Sequence, residues 1–447
     1  MSRAELKFDR VQRLFTGAGF EPTDAEGRAV LLVQSVDAFS RSTGQAPHWG
    51  WFVPGRIEIF GKHTDYAGGR SLTCTVPRGF VLVAAPREDG RVRVIDARLR
   101  EEAIVDLDRD SSEVSGWAKY VDVVARRVAR DFPGASLGVD IALASDLPRA
   151  AGLSSSSALV VGLAITLMRR GDLHLRPEWR GALNTLEDLA GYLGAVENGL
   201  TFKTFTGAPG VGTDGGSEDH TAILMGLAGH VSAYSYLPVR RHGDAELPHG
   251  WRFVVAASGI EADKAGSARD QYNRASRATR TLLEQLNARV GRVHPHLAAA
   301  VEAADAEALV DFVDGLEYGG YLGARFVHFV GEDEWVPEAL EAFRRADRKQ
   351  LARLSQLSQE FAETLLENQI PETVELARLA RANGAFAASS FGAGFGGSVW
   401  ALVEADDAAG FATRWLAVYA DKFPAIIGAS SFVCRPAPPA MELLIDG

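Results

Sequence analysis

The sequence predicts an α+β protein of two domains, and three observations carry that expectation. At 447 residues the chain is longer than one ordinary hydrophobic core supports. Runs with strand-like alternation and runs with helical spacing occur in both halves, instead of one class giving way to the other. Hydrophobic residues make up 47% and charged residues 23%, the balance of a globular chain.

The elements follow in order. Residues 5–45 have helical spacing and precede a first strand-like run at 52–60. Further strands are expected at 71–76, 79–85, 91–96 and 102–106, with Arg87-Glu88-Asp89-Gly90 as a hairpin turn. Residues 117–131 return to helical spacing, 136–144 read as a strand, and 154–169 and 179–198 as helices. A Gly-rich stretch, TGAPGVGTDGGSEDH (206–220), precedes a strand at 230–236. From about residue 250 the chain reads as mostly helical, with Leu340, Phe343, Leu351, Leu354, Leu357, Phe361 and Leu365 marking core-facing stripes. Short apolar runs at 385–389 and 398–403 flank another Gly-rich turn, and Pro436-Ala437-Pro438-Pro439 suggests an irregular tail. The domain division is expected near residue 240, giving 1–240 and 241–447.

Composition excludes several classes. The net charge of −11 disfavours nonspecific binding to nucleic acid or to anionic membrane. Cys74 and Cys434 are the only cysteines, too few for a disulfide framework or a cysteine-rich metal site. No apolar run approaches the length of a membrane span, and MSRAELKFDRVQRLF lacks the apolar centre of a signal peptide. The expected compartment is a reducing cytoplasm. No feature signals an oligomeric state.

Three segments can carry chemistry. The first is PGRIEIFGKHTDYAGG, residues 54–69. A phosphate-binding P-loop needs four residues between its glycines and a Ser or Thr after Gly-Lys. Here five residues separate Gly55 from Gly61, and His63 follows Lys62, so this is a strand that ends in Lys-His-Thr-Asp-Tyr. The second is LPRAAGLSSSSALVVGLAITL, residues 147–167. Gly152 sets a turn, and Ser154, Ser155, Ser156 and Ser157 open an apolar helix whose unpaired N–H groups and positive dipole end attract phosphate. Simple N-capping would need one serine. The third is SSFGAGFGGSVWALV, residues 389–403, where Gly392, Gly394, Gly396 and Gly397 permit positive φ and close approach to a ligand, or merely a wide turn. No HExxH-like spacing supports a zinc site from His63 and His220.

In combination and in this order, these segments resemble the GHMP small-molecule kinases, most of all the galactokinases. GRIEIFGKHTDYAGG is similar to their first signature, GLSSSSA to their second, and GAGFGG to their third. WAKYV (117–121), AVEN (195–198) and QYNRAS (271–276) are weaker echoes, so the resemblance runs from about residue 50 to 403.

The resemblance implies a two-domain α+β fold with sugar and MgATP held in the cleft between domains. It puts the phosphate loop on Gly152, Leu153, Ser154, Ser155 and Ser156, with Gly394 beside the nucleotide. It casts Asp219 as the catalytic carboxylate and Arg56 as the arginine that stabilises the transferring phosphoryl group. It assigns Ser156 and Glu197 to Mg²⁺, and Lys62, His63, Asp65 and Gly216 to the sugar. Lys62 departs from the pattern, because galactokinases carry glutamate there. Either Lys62 turns towards solvent or pairs with a nearby acid and the sugar is galactose, or its ammonium pairs with the C6 carboxylate of a galacturonate-like acid. A third reading is a sugar- and ATP-binding sensor without catalysis.

Overall fold

A computed structural model describes residues 8–109, 114–148, 151–260, 267–316 and 320–443. Residues 5–7 of the expected first helix, and Arg149-Ala150 in the turn before the serine run, lie outside these. Twelve strands are present among the described residues: β1 Trp49–Phe60, β2 Arg70–Pro86, β3 Arg91–Asp96, β4 Glu101–Asp106, β5 Val139–Ser145, β6 His230–Ser235, β7 Arg240–Glu246, β8 Trp251–Ala257, β9 Ala387–Phe391, β10 Ser398–Glu404, β11 Ser430–Cys434 and β12 Met441–Leu443. The helices are α1 Phe8–Gly17, α2 Pro22–Thr43, α3 Ala118–Asp131, α4 Ser155–Arg170, α5 Pro177–Ala182, α6 Leu186–Asn198 and α7 Glu218–Met225 in the first half. In the second half they are α8 Ser267–Val290, α9 Leu297–Ala303, α10 Ala306–Gly315, α11 Tyr321–Arg344, α12 Arg348–Thr364, α13 Pro371–Ala382 and α14 Ala408–Lys422.

The first sheet runs β12-β1-β2-β5-β3-β4, with β6 paired to the start of β2 and β7 to β6. It is antiparallel except for β3 beside β5. Alternation decides which face each side chain covers. Phe52, Val81, Val83, Ala142 and Ala144 point to one side, where Phe15, Phe20, Leu32, Val36 and Phe39 of α1, α2 and the turn between them close over them. Val53, Leu82, Ala84, Ile141 and Leu143 point to the other, against α3, α4 and α6. The N-terminal helices therefore act as a lid on a sheet that would otherwise have an open apolar face.

The second sheet, β11-β8-β10-β9, is fully antiparallel. Val254, Ala256, Val399 and Ala401 face α13 and α14. Phe253, Val255, Trp400 and Leu402 face Leu340, Phe343, Leu351 and Leu354 of α11 and α12, the predicted stripe.

Several expectations need correction. Residues 71–76 and 79–85 belong to one long strand, β2. The helix expected at 179–198 is two, because Thr185 caps a new start by accepting the Asp188 N–H. SEDH does not lie in a loop but opens α7. Strand β8 was not apparent in a segment read as helical. The division at residue 240 coincides with the start of β7, which still extends the first sheet, and β12 returns to that sheet from the far end of the chain.

Candidate active site

A cleft of about 770 Å³ opens between the two sheets. Arg56, His63, Asp65, Gly152, Ser154, Ser155, Ser156, Glu197, Gly216, Asp219 and Gly394 all line it. Of the residues that the resemblance assigned to catalysis, sugar, nucleotide or metal, Lys62 and Leu153 do not.

Arg56 stands at its centre, delivered by β1. Nη2 lies 2.6 Å from Asp219 Oδ1 and Nε lies 3.2 Å from Glu218 Oε1. Nη1 donates to the Gly152 carbonyl at 2.6 Å. The planar fork thus joins the first turn of α7 to the phosphate loop. Burial works against charge on this guanidinium, but Asp219, Glu218 and Glu58 together raise its pKa. The carboxylate pKa values are raised as well: burial lifts Glu58 to about 7, and burial plus the charge of Glu58 pushes Glu218 well above the usual range. Glu58 also accepts the Gly392 N–H at 2.7 Å, tying β1 to the C-terminal glycine loop.

The phosphate loop has the shape its sequence suggests. Gly152 and Ser154 both take positive φ, 75° and 59°. Ser154 precedes α4, and its buried Oγ has no protein partner. Gly392 packs against this turn so closely that a Cβ there would lie 3.0 Å from the Gly152 oxygen. The Leu153 side chain is buried in the core, and its carbonyl accepts the Arg56 N–H at 3.3 Å.

Ser156 faces the cleft, which Tyr120 also lines. The adjacent Ser157, to which the resemblance gave no role, has its Oγ 2.9 Å from Glu197 Oε2 and 3.1 Å from Asp219 Oδ2. Glu197 Oε2 lies 2.9 Å from His220 Nε2 as well. A Mg²⁺ that arrives with nucleotide phosphates needs only one or two protein oxygens. Glu197 and Ser156 offer that many. No group of three metal-ligating side chains exists among the described residues.

On the sugar side, Asp65 Oδ2 accepts the Glu218 N–H at 3.2 Å, and burial raises its pKa to about 6. His63 has φ 57°, with Nδ1 3.0 Å from the Tyr66 hydroxyl and Nε2 3.2 Å from the Ala393 oxygen. Tyr272 packs against it with its ring tilted by 54°, ring centroids 5.0 Å apart.

Lys62, expected at the sugar, is fully buried and turned away from the cleft. Its ammonium contacts Ser358, lies 3.0 Å from Ser389 Oγ and 3.7 Å from Glu332 Oε1. The reason is local backbone: the pairing of β1 with β2 shifts register between Glu58 and Phe60, and Gly61 has φ 92°, so the alternation that sends Arg56 and Glu58 into the cleft does not reach Lys62.

Sequence reasoning missed the part played by α11. Arg325 donates to the His63 carbonyl and, at 3.0 Å, to the Tyr66 hydroxyl. Glu332 accepts Gly61 N–H at 2.8 Å and Lys62 N–H at 3.1 Å. Asp333 accepts Arg70 N–H at 2.6 Å. Burial and the charge of Arg325 lower the His328 pKa strongly, so its neutral ring can accept from Arg325 Nη1 at 3.0 Å. Trp117 and Tyr120, on the other wall of the cleft, had only the WAKYV echo to signal them.

Sequence models agree with this architecture. "GHMP kinases N terminal domain" matches residues 119–201 and "GHMP kinases C terminal" matches 339–421, so both domains carry the features of that kinase class. "Galactokinase galactose-binding signature" matches residues 37–86. A galactokinase of Chloroflexus aggregans is 30% identical over 402 residues, 86% of this chain and 91% of that protein. One from Actinobacillus pleuropneumoniae is 28% identical, covering 83% and 88%. The chain belongs to the galactokinase family. In fold it matches the crystal structure of Lactococcus lactis galactokinase complexed with galactose, with TM-score 0.75, 24% identity, and coverage of 91% of this chain and 98% of that one. Methanococcus jannaschii mevalonate kinase shares the fold at TM-score 0.56 and 13% identity, covering 87% and 98%.

Proposed function

We propose that this protein is an ATP-dependent sugar kinase that transfers the γ-phosphoryl group to the C1 hydroxyl of galactose or a galactose-like sugar, giving the sugar 1-phosphate and ADP. The observation that carries the reading is the Arg56 fork: it holds Asp219 at 2.6 Å while bonded to the Gly152 carbonyl of the phosphate loop. His63 and Asp65 line the same cleft as Asp219.

In this reading His63 and Asp65 orient the sugar hydroxyls, and the phosphate loop receives the nucleotide on its free N–H groups. Mg²⁺, held through Glu197 and Ser156, supplies charge neutralisation at the phosphates. Arg56 keeps Asp219 ionised, so that Asp219 accepts the hydroxyl proton or orients the hydroxyl for attack. Phosphoryl transfer has a loose transition state, so positioning and charge supply most of the catalysis. Arg56 contributes by fixing Asp219 against the phosphate loop, with Nη1 on the Gly152 carbonyl and Nη2 on Asp219.

The acidic-sugar reading loses its support, because the Lys62 ammonium faces Glu332 rather than the cleft. The sensor reading is disfavoured by the presence of Arg56, Asp219 and the serine run in one site. The test is ADP release from purified protein with MgATP and galactose, galacturonate, glucose, N-acetylgalactosamine or arabinose, with Asp219→Asn as blank. Turnover of galactose supports the proposal. Silence on every sugar, with ATP bound, overturns it.

A further inference from the structure

Helix α11 touches the sugar loop at three levels. Arg325 and Glu332 are seven residues apart, two turns, and so share one face of the helix. Arg325 takes the His63 carbonyl, Glu332 the two N–H groups of Gly61 and Lys62, and Asp333 the Arg70 N–H. The loop in between carries His63 and Asp65. Beneath it lies an ionic cluster sealed from water: Lys62, Glu332, Ser358 and Ser389 are all fully buried. Each member has partners. Ser358 Oγ donates to Glu332 Oε1 at 2.5 Å while receiving Lys62, and Ser389 Oγ lies 3.3 Å from Gln359 Oε1.

These four residues come from four elements. Lys62 leaves the end of β1 in the first domain, Glu332 sits on α11, Ser358 on α12 and Ser389 on β9 of the second sheet. An ion pair in such a place costs desolvation, so charge is retained there at the expense of an apolar alternative. What the pair does fix is geometry: Glu332 uses one oxygen on the backbone of the sugar loop and the other on Ser358 and Lys62.

We infer that Lys62 and Glu332 form a buried latch that holds the His63–Asp65 loop against the second domain, making both of them positioning residues of the sugar site. Position 62 then influences sugar binding through the placement of His63 and Asp65 and never by touching the sugar. For its kinetic readout the inference rests on the sugar-kinase reading. A second readout, amide hydrogen exchange, does not.

The experiment compares wild type with Lys62→Met, Glu332→Gln and the double variant, each as the full chain. Each single variant leaves one buried charge unpaired, and the double variant removes both. Exchange of amides in 60–66 should speed up at least tenfold in each single variant and return most of the way in the double, which is the signature of coupled residues. The sugar KM should rise at least tenfold in the singles while the ATP KM changes less than twofold. Should Lys62→Met fold poorly, Glu332→Gln, whose amide can still accept the loop N–H groups, carries the comparison. Wild-type exchange in the single variants overturns the latch. So does a Lys62→Met protein that reorders the sugar panel with exchange unchanged, because that outcome puts Lys62 on the sugar. If the wild type phosphorylates no sugar, the kinase reading fails while exchange still judges the latch.

Discussion

Arg56 and Asp219, 163 positions apart in the chain, meet at 2.6 Å in the middle of the cleft. Because the same guanidinium bonds the Gly152 carbonyl, the carboxylate has a fixed distance from the phosphate loop. Asp219→Asn keeps the shape and removes the charge. Its kcat should fall by about 10²–10⁴-fold, the usual range for losing a positioned proton acceptor. ATP binding, measured by titration in the absence of sugar, should be little changed. Arg56→Lys loses the fork, and a single ammonium cannot serve Gly152, Glu218 and Asp219 together. It should also depress kcat, with a smaller effect on the ATP KM.

Asp65 gives a pH dependence. Burial raises its pKa to about 6, so the folded protein holds this proton where an unfolded chain has released it. Between the ordinary aspartate value and about 6 the native state binds more protons, and this group's contribution to stability falls as pH rises. Sugar binding has the opposite sign, since the ionised carboxylate accepts from hydroxyls. The sugar KM should therefore climb as pH drops below about 6. Asp65→Asn should have a high KM without that limb, and initial rates from pH 5 to 8 check both.

Gly216 has no room for a side chain. A Cβ there would lie 2.3 Å from Asp65 Oδ2. Gly216→Ala must displace Asp65 or the backbone of the turn before α7, at a cost of about 1–3 kcal/mol. The expected result is a lowered Tm together with a raised sugar KM, read by thermal unfolding and steady-state kinetics.

Ser156 and Ser157 should separate when Mg²⁺ is varied. Ser157 has one hydroxyl hydrogen to share between Glu197 and Asp219. Ser157→Ala removes a bond to a charged group worth about 1.5–3 kcal/mol, so kcat should drop by about tenfold or more at saturating Mg²⁺. Ser156→Ala should instead raise the Mg²⁺ concentration needed for half-maximal rate.

Much of the site was legible because its chemistry sits in short contiguous segments. The serine run, the Asp65 loop and Asp219 reach the cleft through local turns whose glycines are visible in the sequence. Of the two readings of Lys62, the structure favours the one in which it pairs with a nearby acid, Glu332; which way it turns was not legible because the alternation of β1 already breaks between Glu58 and Phe60, before the positive φ of Gly61. No sequence period foretold that Arg325, Glu332 and Asp333 grip that loop, since the contacts cross more than 250 positions. Strand β8 escaped notice because it is buried from Phe253 to Ala257 without a break, and a strand covered on both sides lacks a polar face to mark it. The break between α5 and α6 was readable in principle from Thr185 and Asp188, a capping pair inside an otherwise helical stretch.

The pairing of β12 with β1 has a consequence for how the chain is made. Gly50, Trp51 and Phe52 find Leu443, Glu442 and Met441 across that edge. During vectorial synthesis these sites stay vacant while almost the entire remaining polypeptide leaves the ribosome, tens of seconds at roughly 5–20 residues per second. Throughout that interval the nascent N-terminal half presents a bare strand edge, a template for wrong partners. Deleting Met441–Leu443 makes that temporary exposure permanent, and it does so on the strand that carries Arg56.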